Sequence, residues 1–154
     1  MRLLILFILS LVITNNVQAQ ESRLEKVEKV IDNAVKGIAS FYHDKFEGRK
    51  TATGEVFDND RYTAASNNLK LGTYVKVTNL SNGEVVYVRV NDRMNKNNHR
   101  LIDLAEVAAE KLDFRHKGIT KVNVEVVPAE EGRMAILAQK GQMPNVAAPA
   151  KNEL

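Results

Sequence analysis

Cysteine is absent from all 154 residues. No disulfide can staple the fold, so the chain must hold itself by its core alone. The same absence rules out lipidation at an export-signal cleavage site, which needs a cysteine there. Tryptophan is absent too and aromatic residues make up only 6% of the chain, which leaves little for a ligand-stacking platform. The only prolines stand at 128, 144 and 149. Long apolar runs are missing. Residues 3–13, broken by Ser10, reach about half of the ~20 residues that a membrane-spanning helix needs. Charge of one sign is not in great excess either. Lysine and arginine number 22 against 19 aspartates and glutamates, a net +3 that becomes 3 − 1 = +2 if Arg2 leaves with a cleaved signal. So weak a bias does not make the clustered basic surface of a nucleic-acid binder, and it favours an acidic partner only slightly. The histidines, His43, His99 and His116, form no pair at metal-ligand spacing, so neither metal nor cofactor is expected.

What is present divides the chain into four parts. Met1 and Arg2 give a short positive start, residues 3–13 an apolar stretch, and Val17-Gln18-Ala19 the small residues of a signal-peptidase site. Residues 1–19 therefore read as a signal peptide, with no stable membrane anchor after cleavage and a periplasmic or secreted product. Residues 20–34 carry Leu24, Val27, Val30 and Ile31 at helical spacing and read as a short amphipathic leader. Residues 35–127 suffice for one small domain. Residues 128–154 hold every proline among Ala, Gln and Asn and read as a disordered tail.

Within residues 35–127 the pattern is mostly β. Residues 37–42 read as a first strand, and residues 74–80 alternate cleanly. Asn82-Gly83 marks a hairpin turn, residues 84–91 form its return strand, and residues 122–127 close the domain. One helix is expected, capped by Asp103, with Leu104, Val107, Ala108, Lys111 and Leu112 at helical spacing. Short strands, one helix and long polar loops point to a small closed barrel.

The most informative run is Val88-Arg89-Val90-Asn91-Asp92-Arg93. Val86, Val88 and Val90 form the buried face of a strand, with Tyr87, Arg89 and Asn91 opposite. Asp92 falls where that strand gives way to the polar loop Asn95-Lys96-Asn97-Asn98-His99. A carboxylate at the end of a rigid strand, facing a loop-built cleft, suits acid/base chemistry. The same residue is also read as a structural Asp paired with Arg93.

Several segments together resemble a family. They are Gly37-Ile38-Ala39-Ser40-Phe41-Tyr42, then Phe46-Glu47-Gly48-Arg49-Lys50-Thr51-Ala52-Thr53-Gly54-Glu55, Tyr62-Thr63-Ala64-Ala65-Ser66, Leu69-Lys70-Leu71-Gly72-Thr73-Tyr74-Val75, the run ending at Arg93, and Leu101-Ile102-Asp103-Leu104-Ala105. In this order they resemble the RlpA family of bacterial septal and cell-wall proteins. The resemblance implies a six-stranded double-psi β-barrel and an exported endolytic lytic transglycosylase acting on peptidoglycan glycan strands. Such an enzyme cleaves the MurNAc–GlcNAc bond without water and leaves a 1,6-anhydro end. It further implies catalytic roles for Asp92 and Glu55. Around them, Tyr42, Arg49, Thr51, Ser66, Asn91 and Arg93 are the expected substrate-binding residues.

The chain departs from the family pattern at two places. The family usually has His after Thr-Ala-Ala, where this chain has Ser66, which keeps a hydrogen bond but cannot carry charge. It often has Trp where Phe41 stands. Two other functions stay open on the same barrel. One is a non-catalytic, expansin-like module that grips wall glycan. The other is a hydrolase using water and two carboxyls.

Overall fold

The computed structural model describes Gln20 and residues 34–141. The expected signal, the leader over residues 21–33 and the tail beyond 141 lie outside the described residues. Strands β1 (Ala34–Phe41), β2 (Thr63–Ala65), β3 (Tyr74–Asn79), β4 (Val85–Asp92), β5 (Ile102–Leu104) and β6 (Thr120–Val127) close into a barrel in the order β1-β5-β2-β4-β3-β6. Helix α1 spans Glu106–Lys111 and α2 spans Ala129–Gln139. The ladder is mixed: β1 with β5 and β2 with β4 run parallel, while β2–β5, β3–β4 and β3–β6 are antiparallel. This is the six-stranded double-psi barrel that the family resemblance implies.

Alternation fills the interior. Val75 and Val77 of β3, Val86, Val88 and Val90 of β4, and Val122 and Val124 of β6 point inward beside Ile102 and Leu104. Phe114 plugs the core and meets Phe41 edge-on, ring centroids 6.0 Å apart. The β3–β4 turn is the expected hairpin, with Asn79 N–H donating to Glu84 O at 2.9 Å and Gly83 taking φ +81°. Asn79 is buried yet satisfied. Its Nδ2 donates to Leu112 O at 2.8 Å and its Oδ1 accepts from Thr120 Oγ1 at 2.9 Å.

One irregularity sets up the site. Along β2 and β4, Ala64 pairs with Val90 but Ala65 pairs with Asp92, so Asn91 is an extra residue in β4. Such a bulge bends its strand and re-aims the side chains that follow. It explains why Asn91 is buried directly after Val90 instead of facing outward with Tyr87 and Arg89 as alternation predicts.

Two expectations are corrected. Asp103 does not cap a helix: it lies in β5. Its carboxylate accepts from Ser40 Oγ at 2.6 Å, Arg100 Nε at 2.8 Å and Asn98 Nδ2 at 3.0 Å. Three polar partners hold it in extended backbone. The α1 N-cap is Ala105, which has no side-chain bond, and Asn59 Oδ1 accepts from Glu106 N–H instead.

The second correction concerns residues 129–139, expected within a disordered tail. They form α2, which begins directly after Pro128 and carries Glu130 and Glu131 in its first turn, where acidic side chains favour helix. Its Ile136 packs against the barrel core. Gln139 completes the docking: Nε2 donates to Tyr87 O at 2.9 Å and Oε1 accepts from Tyr87 N–H at 2.6 Å. These two bonds cover β4 at Tyr87, beyond the reach of the short strand β2, whose pairing begins at Arg89.

Gly132 permits this contact, since a Cβ there would stand 2.4 Å from Tyr74 Cβ. Gly132→Ala is therefore expected to destabilise the docked helix by about 1–3 kcal/mol. Hydrogen exchange should accelerate across residues 129–139 while the barrel strands stay protected.

Candidate active site

The segment between β1 and β2 doubles back on itself. Thr51 N–H donates to Glu55 O at 2.8 Å and Phe57 N–H to Arg49 O at 2.8 Å, with Gly54 at φ +84° turning the tip. The tip hangs on the end of β4: Thr53 N–H donates to Asn91 O at 3.2 Å and Ala52 N–H to Asp92 Oδ1 at 2.8 Å. One small loop therefore brings Glu55 and Asp92 into the same neighbourhood.

Asp92 is held by three donors. Oδ1 accepts from the N–H groups of Ala52 and Arg93, each at 2.8 Å, and Oδ2 accepts from Tyr42 Oη at 2.8 Å. Tyr42 is fixed in turn by Phe57, ring centroids 4.4 Å apart, and by Phe46 edge-on at 5.7 Å. Burial, then the bond to Asp92, raises the Tyr42 hydroxyl pKa well above its ordinary value, so it stays a proton-bearing donor.

Glu55 sits in a different environment. Arg89 grips it with two bonds, Nη1 to Oε1 at 2.9 Å and Nη2 to Oε2 at 2.5 Å, and Thr53 Oγ1 donates to Oε1 at 3.0 Å. The Arg89 hydrogen bonds lower the Glu55 pKa to about 2 against an opposing effect of burial. Glu55 is thus a fixed negative charge at any ordinary pH. Sequence reasoning placed Arg89 on the outer face of β4 but gave it no role. Its signal was an outward cation three residues before Asp92 on a rigid strand.

The other expected residues divide. Tyr42 contacts Asp92 directly, and Thr51 and Thr53 share a hydroxyl contact at 3.0 Å on the way to Glu55. Asn91 helps to lower the Glu55 pKa through its side-chain bond. Arg49 is exposed, with its guanidinium 5.2 Å from the Phe46 ring centroid. Arg93 turns away to bond the carbonyls of Ser66 and Leu69, so it does not pair with Asp92. Ser66 is fully buried and spends its hydroxyl on Leu101 O at 2.9 Å, a structural bond that leaves nothing for a ligand. His99 is exposed in the loop after Arg93, beside Asn97 and Asn98.

A family model described as lytic transglycolase matches residues 34–124. The endolytic peptidoglycan transglycosylase RlpA of Haemophilus influenzae is 43% identical over 105 residues, 68% of this chain and 37% of that protein. The protein of the same name from Pseudomonas aeruginosa strain PAO1 is 46% identical over 121 residues, 74% of this chain and 35% of that protein. The chain spans little more than a third of the length of these relatives. Among solved structures, the Streptomyces papain inhibitor superposes with TM-score 0.51 at 25% identity, covering 62% of this chain and 94% of the inhibitor. Cerato-platanin 3 from M. perniciosa superposes with TM-score 0.51 at 14% identity, covering 64% of this chain and 99% of that one, and shows the fold alone.

The Glu55–Arg89 pair has a pH signature. The folded pKa lies below the reference value of 4.5, so stability from this group is present above pH 4.5 and is lost as pH falls through about 2. Arg89→Met removes the cause. In chemical denaturation followed between pH 5 and 2, the wild type is expected to lose more stability than Arg89→Met over that window.

Proposed function

This chain belongs to the RlpA-like lytic transglycolase family of double-psi β-barrels, and on that premise we propose that it is an exported endolytic peptidoglycan transglycosylase. It acts in the periplasm or outside the cell, on the MurNAc–GlcNAc bond. The observation that carries the reading is the pairing of two carboxyls in opposite environments at one loop. Asp92 is presented by neutral donors and Glu55 is locked as an anion by a guanidinium. Two carboxyls with separated roles are what glycosidic cleavage requires.

The geometry supports a separate role for each carboxyl. Asp92 gives its proton to the glycosidic oxygen as the bond to the muramic C1 breaks, and the leaving sugar departs with that proton. The muramic 6-hydroxyl oxygen then bonds to C1, and Asp92 takes the hydroxyl proton back, so one carboxyl serves as acid and then base. Glu55, ionised throughout, stabilises the positive charge that develops at C1. Tyr42 and the Ala52 N–H orient Asp92, while Thr51, Thr53 and Arg49 offer donors to sugar and carboxylate groups.

One observation favours the second reading, a glycan-gripping module without cleavage. Ser66 stands where the family's His is usual, and its hydroxyl is spent on the Leu101 carbonyl, so no titratable side chain assists Asp92 from that position.

Digestion of purified peptidoglycan separates the readings. The wild-type chain is expected to release anhydro-muropeptides, and Asp92→Asn to cut that release by roughly 10²–10⁴-fold. Glu55→Gln should lower it by about 10²-fold. Reducing ends would reassign the reaction to hydrolysis. No products with retained glycan pull-down would leave the gripping module.

A further inference from the structure

Ala65 pairs with Asp92 on β4 and with Asp103 on β5, and Asp103 pairs with Ser40 on β1. These residues form a row across the adjacent strands β4-β2-β5-β1. Ile38 stands two residues before Ser40 on β1 and so shares its face. The row leads from the candidate active site to a hollow of about 690 Å³, lined by Ile38, Asn95, Asn97, Asn98, His99 and Arg100. Asp103 lies two strand spacings from Asp92, about 10 Å. Arg100, which lines the hollow, grips Asp103 through Nε at 2.8 Å and Nη2 at 3.0 Å.

The loop over residues 95–99 is held from within by amides. Asn98 Nδ2 donates to Asp103 Oδ2 at 3.0 Å, and Asn98 Oδ1 accepts from Arg100 N–H at 3.0 Å. Asn95 Oδ1 accepts from Asn97 N–H at 3.0 Å, and Asn95 O accepts from Asn67 Nδ2 at 3.4 Å. These bonds fix the backbone and leave other groups unspent. Among the described residues, the Asn97 amide, the His99 ring and Arg100 Nη1 have no hydrogen-bond partner. Ile38, half-buried, adds an apolar surface to the same hollow. An apolar patch ringed by amide, imidazole and guanidinium groups suits an acetamido group, which carries a methyl, an N–H donor and a carbonyl acceptor. A loop already fixed loses little freedom on binding it.

We propose that this hollow is a subsite for the acetamido sugar lying just beyond one disaccharide repeat from the bond being cut. The inference rests on the reading of the site as glycan-cleaving. The span from Asp92 to Asp103 matches the length of one GlcNAc–MurNAc repeat. A strand laid along the row with its scissile bond at Asp92 therefore brings its next sugar to Arg100 and Asn97. Grip at that distance favours bonds inside a strand over bonds near its end.

The full-length chain tests this in two arms, both with peptide-free GlcNAc–MurNAc oligosaccharides. In the first, an octasaccharide is titrated into Asp92→Asn while amide NMR signals are followed. The expected result is saturable shifts at Ile38, Asn97, His99 and Arg100, lost when the sugar is chemically N-deacetylated and restored by re-acetylation. No saturable shifts at these residues, or equal shifts with the deacetylated sugar, would overturn the proposal. In the second arm, cleavage of the octasaccharide is compared with that of a tetrasaccharide, whose central bond leaves too few sugars to reach the hollow. In otherwise wild-type protein, Asn97→Ala/His99→Ala is expected to raise KM on the octasaccharide about 5–10-fold, the size of one or two lost hydrogen bonds. KM on the tetrasaccharide, kcat on both and the melting temperature should stay unchanged. An equal KM change on both lengths would overturn the proposal. Octasaccharide binding at the loop without cleavage of either length would instead overturn the enzymatic reading and leave the subsite standing.

Discussion

The extra residue in β4 at Asn91 is the constraint on which the rest of the site depends. Before the bulge, β4 follows strict alternation, with valines inward and Tyr87 and Arg89 outward. After it, Asp92 is brought into register with Ala65 and turned toward the loop that carries Glu55. Without the slip, Asp92 would keep the parity of Val90 and point into the apolar core, where an ionised carboxylate without partners is strongly disfavoured. The bulge instead delivers it to the N–H groups of Ala52 and Arg93 and the hydroxyl of Tyr42.

The same strand organises both carboxyls by different means. Asp92 belongs to β4 itself, whereas Glu55 comes from a loop and is gripped by Arg89 of β4. The loop is fastened at its tip to Asn91 O, so its position is set by the barrel and not by its own composition. Arg89 also lines a hollow beside α2, and Gln139 bonds the strand at Tyr87. The two carboxyls on one side and the docked helix on the other thus share one strand.

Much of this was legible in the sequence because long strands alternate. The β3–β4 hairpin and β6 carry clear period-two patterns, and Asn82-Gly83 marks the turn. The strands β2 and β5 have three residues each, too short to show a period, and neither is read as a strand from the sequence. Asp103 was misread as a helix cap because a carboxylate before an apolar helical run has the same local signature as one held by Arg100 and Ser40 from elsewhere. Helix α2 was hidden because Pro128 and an Ala- and Gln-rich composition look like a tail, while its docking depends on Gly132 and Gln139 meeting Tyr74 and Tyr87 across the fold. Asp92, Glu55 and Tyr42 are candidates in the sequence, and the structure brings Tyr42 into contact with Asp92. Arg89 is not a candidate there, since nothing local tells which distant carboxylate a strand arginine will meet, and Ser66 was placed in the cleft where it is in fact buried.

The account stands on the separation of the two carboxyls, and the side-chain carbon-13 titration of Glu55 tests it most directly. The account predicts a midpoint at about 2, with the carboxylate ionised throughout the working range. A midpoint near 4.5, the value for an unperturbed glutamate, would mean that Arg89 does not hold it, and would contradict the assignment of Glu55 as a fixed charge.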